Sequence, residues 1–206
     1  ISGVKHSIQD NSWTTTLSAI AKPSKNLAQV TMGEPGNGSS RPDDIVLQEE
    51  EADPNLLFYP PINSLQIDSF IRNDAGGEGA FGASRDSGAR QHSGLDLKTT
   101  VGQTIFAPMP GRLVVTRATK SSKLRGFKII GSGKYEGYVA YVFYADPFKF
   151  KNLIQTNVAS GTRVASASDL SPDYPENVTD HIHFAVKKNG KSIDPSTLNY
   201  SLINQS

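Results

Sequence analysis

From residue 78 onward the chain alternates short apolar and polar runs, broken every few residues by Gly, Pro, Asn or Asp. Period-two alternation over four to eight residues predicts half-buried strands. The expected strands are Leu95–Lys98, Thr104–Ala107, Arg112–Ala118, Phe127–Ile130, Tyr138–Ala145, Arg163–Ser166 and His183–Lys188. Turns fall at Pro110-Gly111, Gly131-Ser132-Gly133 and Asn189-Gly190, the last a strong hairpin signal. Tyr138–Tyr144 carries large apolar groups on both faces and is expected in the centre of a sheet. No helical periodicity of useful length appears. The fold class is therefore all-β, a twisted antiparallel sheet or sandwich.

Upstream the pattern changes twice. Residues 1–21 alternate in two registers, Val4, His6 and Ile8, then Trp13, Thr15 and Leu17, on either side of Gln9-Asp10-Asn11-Ser12. This predicts a β-hairpin too small to bury a core of its own, completing a missing or partner domain. Residues 22–77 form an irregular linker. Pro23, Pro35, Pro42, Pro54, Pro60 and Pro61 interrupt it, and an acidic run spans Asp43 to Asp53. Leu56-Leu57-Phe58-Tyr59 is an apolar island expected to pin the linker to a surface, and residues 63–77 allow a short strand through Leu65 and Ile67. Residues 78–206 are the domain.

Composition narrows the function classes. The 206 residues are 36% hydrophobic and 20% charged, with a net charge of +1. That balance implies no general attraction to nucleic acid or membrane. There is no cysteine, which excludes disulfides and thiolate metal sites. No apolar run approaches the length of a transmembrane helix. The first residue is Ile, so the chain is expected to be a piece of something longer, and its oligomeric state is open, a homo-oligomer included. Between Arg112 and Lys134 lie seven bases and no acid, expected as an exposed hairpin whose alternative role is attraction to anionic wall polymers.

The chemistry concentrates in two places. Two of the four histidines lie in Asp180-His181-Ile182-His183-Phe184. On a strand they point the same way with Cα atoms roughly 6.5–7 Å apart, so one can bind a metal while the other reaches the substrate. A third lies in His92-Ser93-Gly94-Leu95-Asp96. A straight strand would hold His92 and Asp96 about 13 Å apart, and Ser-Gly argues against a helix. A bend at or before Gly94 remains, with Asp96 starting a strand. His92, Asp96 and one of His181 or His183 then supply two nitrogens and one carboxylate oxygen, the three-ligand set of catalytic zinc. Asp180 is a candidate to orient either histidine, or a turn residue ahead of the strand. Tyr144 and Tyr135 are candidates to line the cleft.

The His-x-x-x-Asp and later His-x-His resemble the lysostaphin/LytM type of zinc metallopeptidase, which cuts peptide cross-links of bacterial cell walls. The likeness runs over roughly residues 78–200. Gly79-Ala80-Phe81-Gly82-Ala83-Ser84-Arg85 resembles the family's Phe-Gly approach to the first motif. Val101–Val114 resembles its Ala-Pro-x-x-Gly hairpin, Val158–Val164 its later Gly turn, and Asn189-Gly190 with Ile193-Asp194-Pro195 its closing hairpin. The resemblance implies the family's duplicated hybrid motif as the fold. It implies zinc as cofactor, held by His92, Asp96 and His183, with His181 catalytic. It implies peptidoglycan as partner and an extracellular or wall-facing location.

One position departs from the pattern. Where the family has a second catalytic histidine in a Tyr-x-His element, this chain has Tyr144-Ala145-Asp146. Asp146 is then the replacement for that histidine, although an ionised carboxylate cannot donate to a developing oxyanion. Vertebrate chemotaxin-type proteins resemble the same fold, keep the zinc ligands and lack this histidine, so the alternative is an inactive zinc-binding structural or wall-binding module. Separately, Gly3–Leu17 resembles the last strands of phage tail or baseplate hub proteins. That likeness implies a virion tail tip, with other tail or baseplate chains as partners of the hairpin and linker.

Overall fold

The computed structural model describes residues 3–9, 12–18, 51–117, 123–148, 155–175 and 177–203. The chain divides into two units, Ile1–Arg41 and Pro42–Ser206. In the first, β1 (Gly3–Gln9) and β2 (Ser12–Ser18) pair antiparallel from Gly3↔Ser18 to Gln9↔Ser12.

The second unit opens with two minimal ladders, β3 (Asn73–Asp74) with β4 (Gly77–Glu78) and β5 (Ser84–Arg85) with β6 (Arg90–Gln91). The longer strands are β7 (Leu95–Lys98), β8 (Thr104–Phe106), β9 (Gly111–Arg117), β10 (Arg125–Gly131) and β11 (Tyr138–Phe143). There follow β12 (Ala145–Pro147), β13 (Gln155–Val158), β14 (Arg163–Ala167), β15 (His181–Lys188) and β16 (Lys191–Ile193). No α-helix occurs among the described residues. The larger sheet runs β13-β9-β10-β11-β15, and β15 divides its free edge between β7 and β16. The smaller sheet is β12-β14-β8. All pairings between named strands are antiparallel, and the all-β class stands.

Alternation explains the core. Tyr138, Ala140 and Val142 of β11 face inward, as do Ile182, Phe184 and Val186 of β15. Each fully buried side chain of this size contributes roughly 1.5–3 kcal/mol relative to exposure. β11 lies centrally, between β10 and β15. Asn189 and Gly190 both take positive φ, 51° and 87°, which suits the tight turn joining β15 to β16.

Four expectations change. The strand expected over Tyr138–Ala145 stops at Phe143, because Tyr144 adopts a φ of 63° and the chain passes into the other sheet. Residues Ile67–Phe70 form a 3-10 turn rather than a strand, with Ile67 buried and Leu65 exposed. The boundary at residue 78 falls inside the second unit: Leu56, Phe58, Tyr59, Ile62 and Ile67 are buried in its core. Tyr135 is core as well, its hydroxyl donating to the Leu57 carbonyl.

Candidate metal centre

The register of the large sheet builds the centre. Phe143 of β11 pairs with His183 of β15, and His183 pairs with Asp96 of β7. Directly opposed residues have Cβ atoms about 4.5–5.5 Å apart, so Asp96 meets His183 side by side. The Phe143 ring stacks on the other side of the imidazole, centroids 6.0 Å apart. His183 is thus held between an acid and an aromatic face.

His92 arrives from the loop before β7. A β-carbon on Gly94 would lie 2.5 Å from the Phe184 carbonyl oxygen and 3.0 Å from His183 Cε1, so only glycine lets the loop approach β15 this closely. The His92 amide donates to the Ala83 carbonyl at 2.8 Å, and its carbonyl accepts from Gly82 at 2.8 Å, which fixes the residue before the bend. The result is convergence: one ligand atom from each of His92, Asp96 and His183 lies within 4.8 Å of the others. Asp96 Oδ1 is 2.9 Å from His183 Nδ1 and 3.1 Å from His92 Nε2.

The donor chemistry fits a divalent ion. His92 Nδ1 donates to the Ala80 carbonyl at 2.9 Å, which turns Nε2 toward the centre. Asp96 turns Oδ1 inward while Oδ2 takes hydrogen bonds from Arg72 at 3.0 Å and Arg85 at 3.4 Å. Burial alone would raise the Asp96 pKa. Hydrogen bonds from His183 and His92, and their charges, override it and hold the carboxyl far below the usual carboxylate range. Two imidazoles and one ionised carboxylate are a donor set that suits zinc.

His181 stands beside this set, almost fully buried, with Nδ1 donating to the Thr179 carbonyl at 2.7 Å. Its Nε2 is therefore the basic nitrogen. Burial pushes its pKa down, against the opposing Thr179 hydrogen bond and the Asp96 charge. A continuous hydrogen-bonded chain joins it to the ligand set. Arg72 bridges Asp96 Oδ2 and Asp74 Oδ1, and Asp74 Oδ2 accepts from the Thr179 amide at 2.9 Å. Arg72 and Asp74 were missed in the sequence because they precede the span of the family likeness. Their only local signal is two opposite charges, two residues apart, after an apolar Phe70-Ile71.

The cleft over these groups has a volume of about 360 Å³ and is lined by His92, Asp96, His181, His183, Tyr144 and Tyr174, with Arg72, Arg85 and Arg90. Of the residues proposed from sequence, two besides Tyr135 are elsewhere. Asp146 is exposed on β12, opposite Ser166, and its Oδ2 accepts from Ser168 Oγ at 3.3 Å. It does not line the cleft. The hydrogen bonds of Asp180 go elsewhere than to either imidazole: its Oδ1 accepts from the Leu170 amide at 3.0 Å, and its carbonyl from the Thr99 amide at 2.9 Å. Its work is to hold the turn in which the Tyr174 amide bonds the Leu170 carbonyl at 3.0 Å. Tyr174, also missed, sits in a Pro- and Asp-rich stretch with no periodicity to mark it.

An antiparallel sandwich with a His-Asp-His cluster beside a third imidazole, with its basic nitrogen free of the backbone, defines a metallohydrolase-like class. The description "Peptidase family M23" fits residues 90–195, just over half of the chain, and the chain belongs to that family. Mouse leukocyte cell-derived chemotaxin-2 is 27% identical over 126 residues, covering 60% of this chain and 74% of that protein. A zinc-containing peptidase from Vibrio cholerae matches with a TM-score of 0.50 at 16% identity, over 71% of this chain. This chain spans 41% of that structure. The catalytic domain of the antimicrobial peptidase lysostaphin from Staphylococcus simulans matches at a TM-score of 0.43 and 15% identity, over 56% of this chain and 85% of that one. At such identities the structural likeness concerns the fold alone. No helix among the described residues is long and apolar enough to cross a membrane.

Proposed function

We propose that the chain is a zinc-dependent endopeptidase module acting on the cross-link peptides of bacterial peptidoglycan. The observation that carries this is the convergence of His92 Nε2, Asp96 Oδ1 and His183 Nδ1 beside buried His181, in one cleft of an M23 chain. Those three atoms would hold the ion. Bound there, zinc would polarise an amide carbonyl and lower the pKa of a water toward about 7. His181 Nε2 takes the proton released as the water oxygen adds to the carbonyl carbon. It returns that proton to the amide nitrogen as the C–N bond breaks, leaving an amine and a carboxylic acid that ionises. The Thr179 carbonyl holds the imidazole in the tautomer this needs. Arg72 keeps Asp96 Oδ1 turned inward.

The test is peptide release from purified peptidoglycan by zinc-loaded protein, read by mass spectrometry, with His183→Ala beside it. Cleavage products from the native protein and none from the variant are expected. No products across several wall chemistries, from protein holding stoichiometric zinc, would sink the reading.

One observation favours a second reading, an inactive zinc-binding module. The second unit contains only His92, His181 and His183, and all three are used. No histidine is left for the second catalytic position, and Asp146 is outside the cleft. For the whole chain we propose a place at a phage tail tip, with residues 1–21 and the linker engaging other tail or baseplate chains. What supports it is the sequence of Gly3–Leu17 and the paired strands there. Co-purification of the chain with virions would test it, and its absence from them would overturn it.

A further inference from the structure

The peptidase reading leaves one role unfilled, the donor to the carbonyl oxygen that gains charge as the amide carbon becomes tetrahedral. Such a donor must be aimed beforehand, in a place poor in water, at the position the oxygen will take. Two tyrosines line the cleft beside the ligand set, and one of them is placed for the role.

Tyr144 stands where β11 leaves the large sheet and β12 enters the small one. Its φ of 63° is a conformation that is strained for a non-glycine residue and persists only where its surroundings enforce it. Both backbone groups are pinned: its amide donates to the Arg125 carbonyl and its carbonyl accepts from the Ser168 amide, each at 2.9 Å. The twist places the ring in the cleft while Asp146, two residues on, stays outside. The edge of the Tyr144 ring meets His181, centroids 5.2 Å apart at 82°. The Tyr174 and Tyr144 hydroxyls share a hydrogen bond of 2.9 Å. A phenol has one hydrogen. One of the two hydroxyls therefore keeps its hydrogen for a further acceptor, and Tyr144 is the one whose ring lies nearer His181.

Resting on the peptidase reading above, we propose that Tyr144, supported by Tyr174, is the oxyanion donor of this cleft and takes the place the family gives to its second histidine. A neutral phenol can donate its O–H to a developing oxyanion, which the ionised carboxylate of Asp146 cannot. Tyr144 is then a catalytic residue and Tyr174 a positioning residue.

Tyr144→Phe separates this role from packing, since it keeps the ring against His181 and deletes only the hydroxyl. Two measurements on the zinc-loaded full chain decide the matter, with zinc content checked in each variant. The first is calorimetric titration with inorganic phosphate, a tetrahedral oxyanion. Tyr144→Phe is expected to bind it at least about tenfold more weakly than the native protein. Equal affinity, or no phosphate binding by the native protein, overturns the assignment. The second is peptide release. Tyr144→Phe is expected to lower kcat about 100- to 1000-fold with KM unchanged, and Tyr174→Phe to lower kcat less, also at constant KM. Unchanged release by Tyr144→Phe overturns the assignment and leaves the peptidase standing. A phosphate effect without any release by the native protein supports the oxyanion site and sinks the peptidase.

Discussion

The two walls of the cleft are built on different principles. The metal wall is a ladder. Phe143, His183 and Asp96 stand in register across three strands, and Gly94 lets the His92 loop close on them. Arg72 and Arg85 then fix the far oxygen of Asp96. The facing wall is a corner. Tyr144 holds a left-handed backbone at the junction of two sheets, and Tyr174 comes from a turn held by the Asp180 carboxylate. A ladder places side chains by a period of two, which any sequence displays. A corner places them by a break in that period, which the same pattern conceals. On the proposed reading, the ligand wall can change little without losing its donor set, while the facing wall can exchange one donor for another.

The largest effects should separate the two histidines that share one strand face. His183→Ala is expected to lose zinc, measured by atomic emission, and all peptide release with it. His181→Ala is expected to keep zinc at full occupancy and lose release by about 100- to 10,000-fold, the usual contribution of a positioned acid–base group. Zinc loss in His181→Ala would mean that the two are both ligands, and that the division of roles between neighbours on β15 is wrong.

These contrasts also show what the sequence could and could not display. His181 and His183 fall on one face because Ile182, Phe184 and Val186 claim the other. The bend before Asp96 follows from Ser93-Gly94, since neither a helix nor a straight strand serves. β7, whose sequence alternates throughout, was visible to the residue, and the other expected strands to within about two residues at each end. What failed to show was non-local. Arg72 reads as one charge in a Pro-rich approach until the fold lays its amide against the Asp96 carbonyl at 2.9 Å and its guanidinium against the carboxylate. Asp146 and Tyr144 share a face in an unbroken strand. The positive φ at Tyr144 parts them, and nothing in Val142-Phe143-Tyr144-Ala145-Asp146 announces it.

A middle-sized effect probes the hydrogen-bonded chain that ties the metal wall to the base. Arg72 is buried, and its fork spans Asp96 and Asp74. Arg72→Lys keeps the charge but cannot reach both carboxylates in the same plane. Partners behind a metal ligand typically contribute about 10- to 100-fold in affinity or activity, so zinc affinity by competition with a chelator should fall in that range. Thermal unfolding of the zinc-loaded variant distinguishes this from collapse of the fold. Unaltered affinity would make Arg72 a packing residue and leave Asp96 oriented by its histidines and Arg85 alone.

The smallest expected effect tests the comparison most directly. Asp146 is the residue that a motif reading sets in the catalytic position, and the structure puts it on the exposed side of β12 with one long hydrogen bond from Ser168 Oγ at 3.3 Å. Asp146→Ala removes a carboxylate from solvent and one weak contact. Substitutions of that kind shift stability by within about 0.5 kcal/mol. Peptide release should stay within about twofold of the native rate, because a group that does not line the cleft gains nothing in the transition state. A fall of a hundredfold would place the carboxylate in the reaction, through a rearrangement of β12 that brings Asp146 inward. Tyr144 would then be a spacer between two sheets, and the facing wall would owe its chemistry to motif position after all. A silent Asp146→Ala beside a damaged Tyr144→Phe would show instead that one left-handed residue moved the catalytic function of this strand end two positions along the chain.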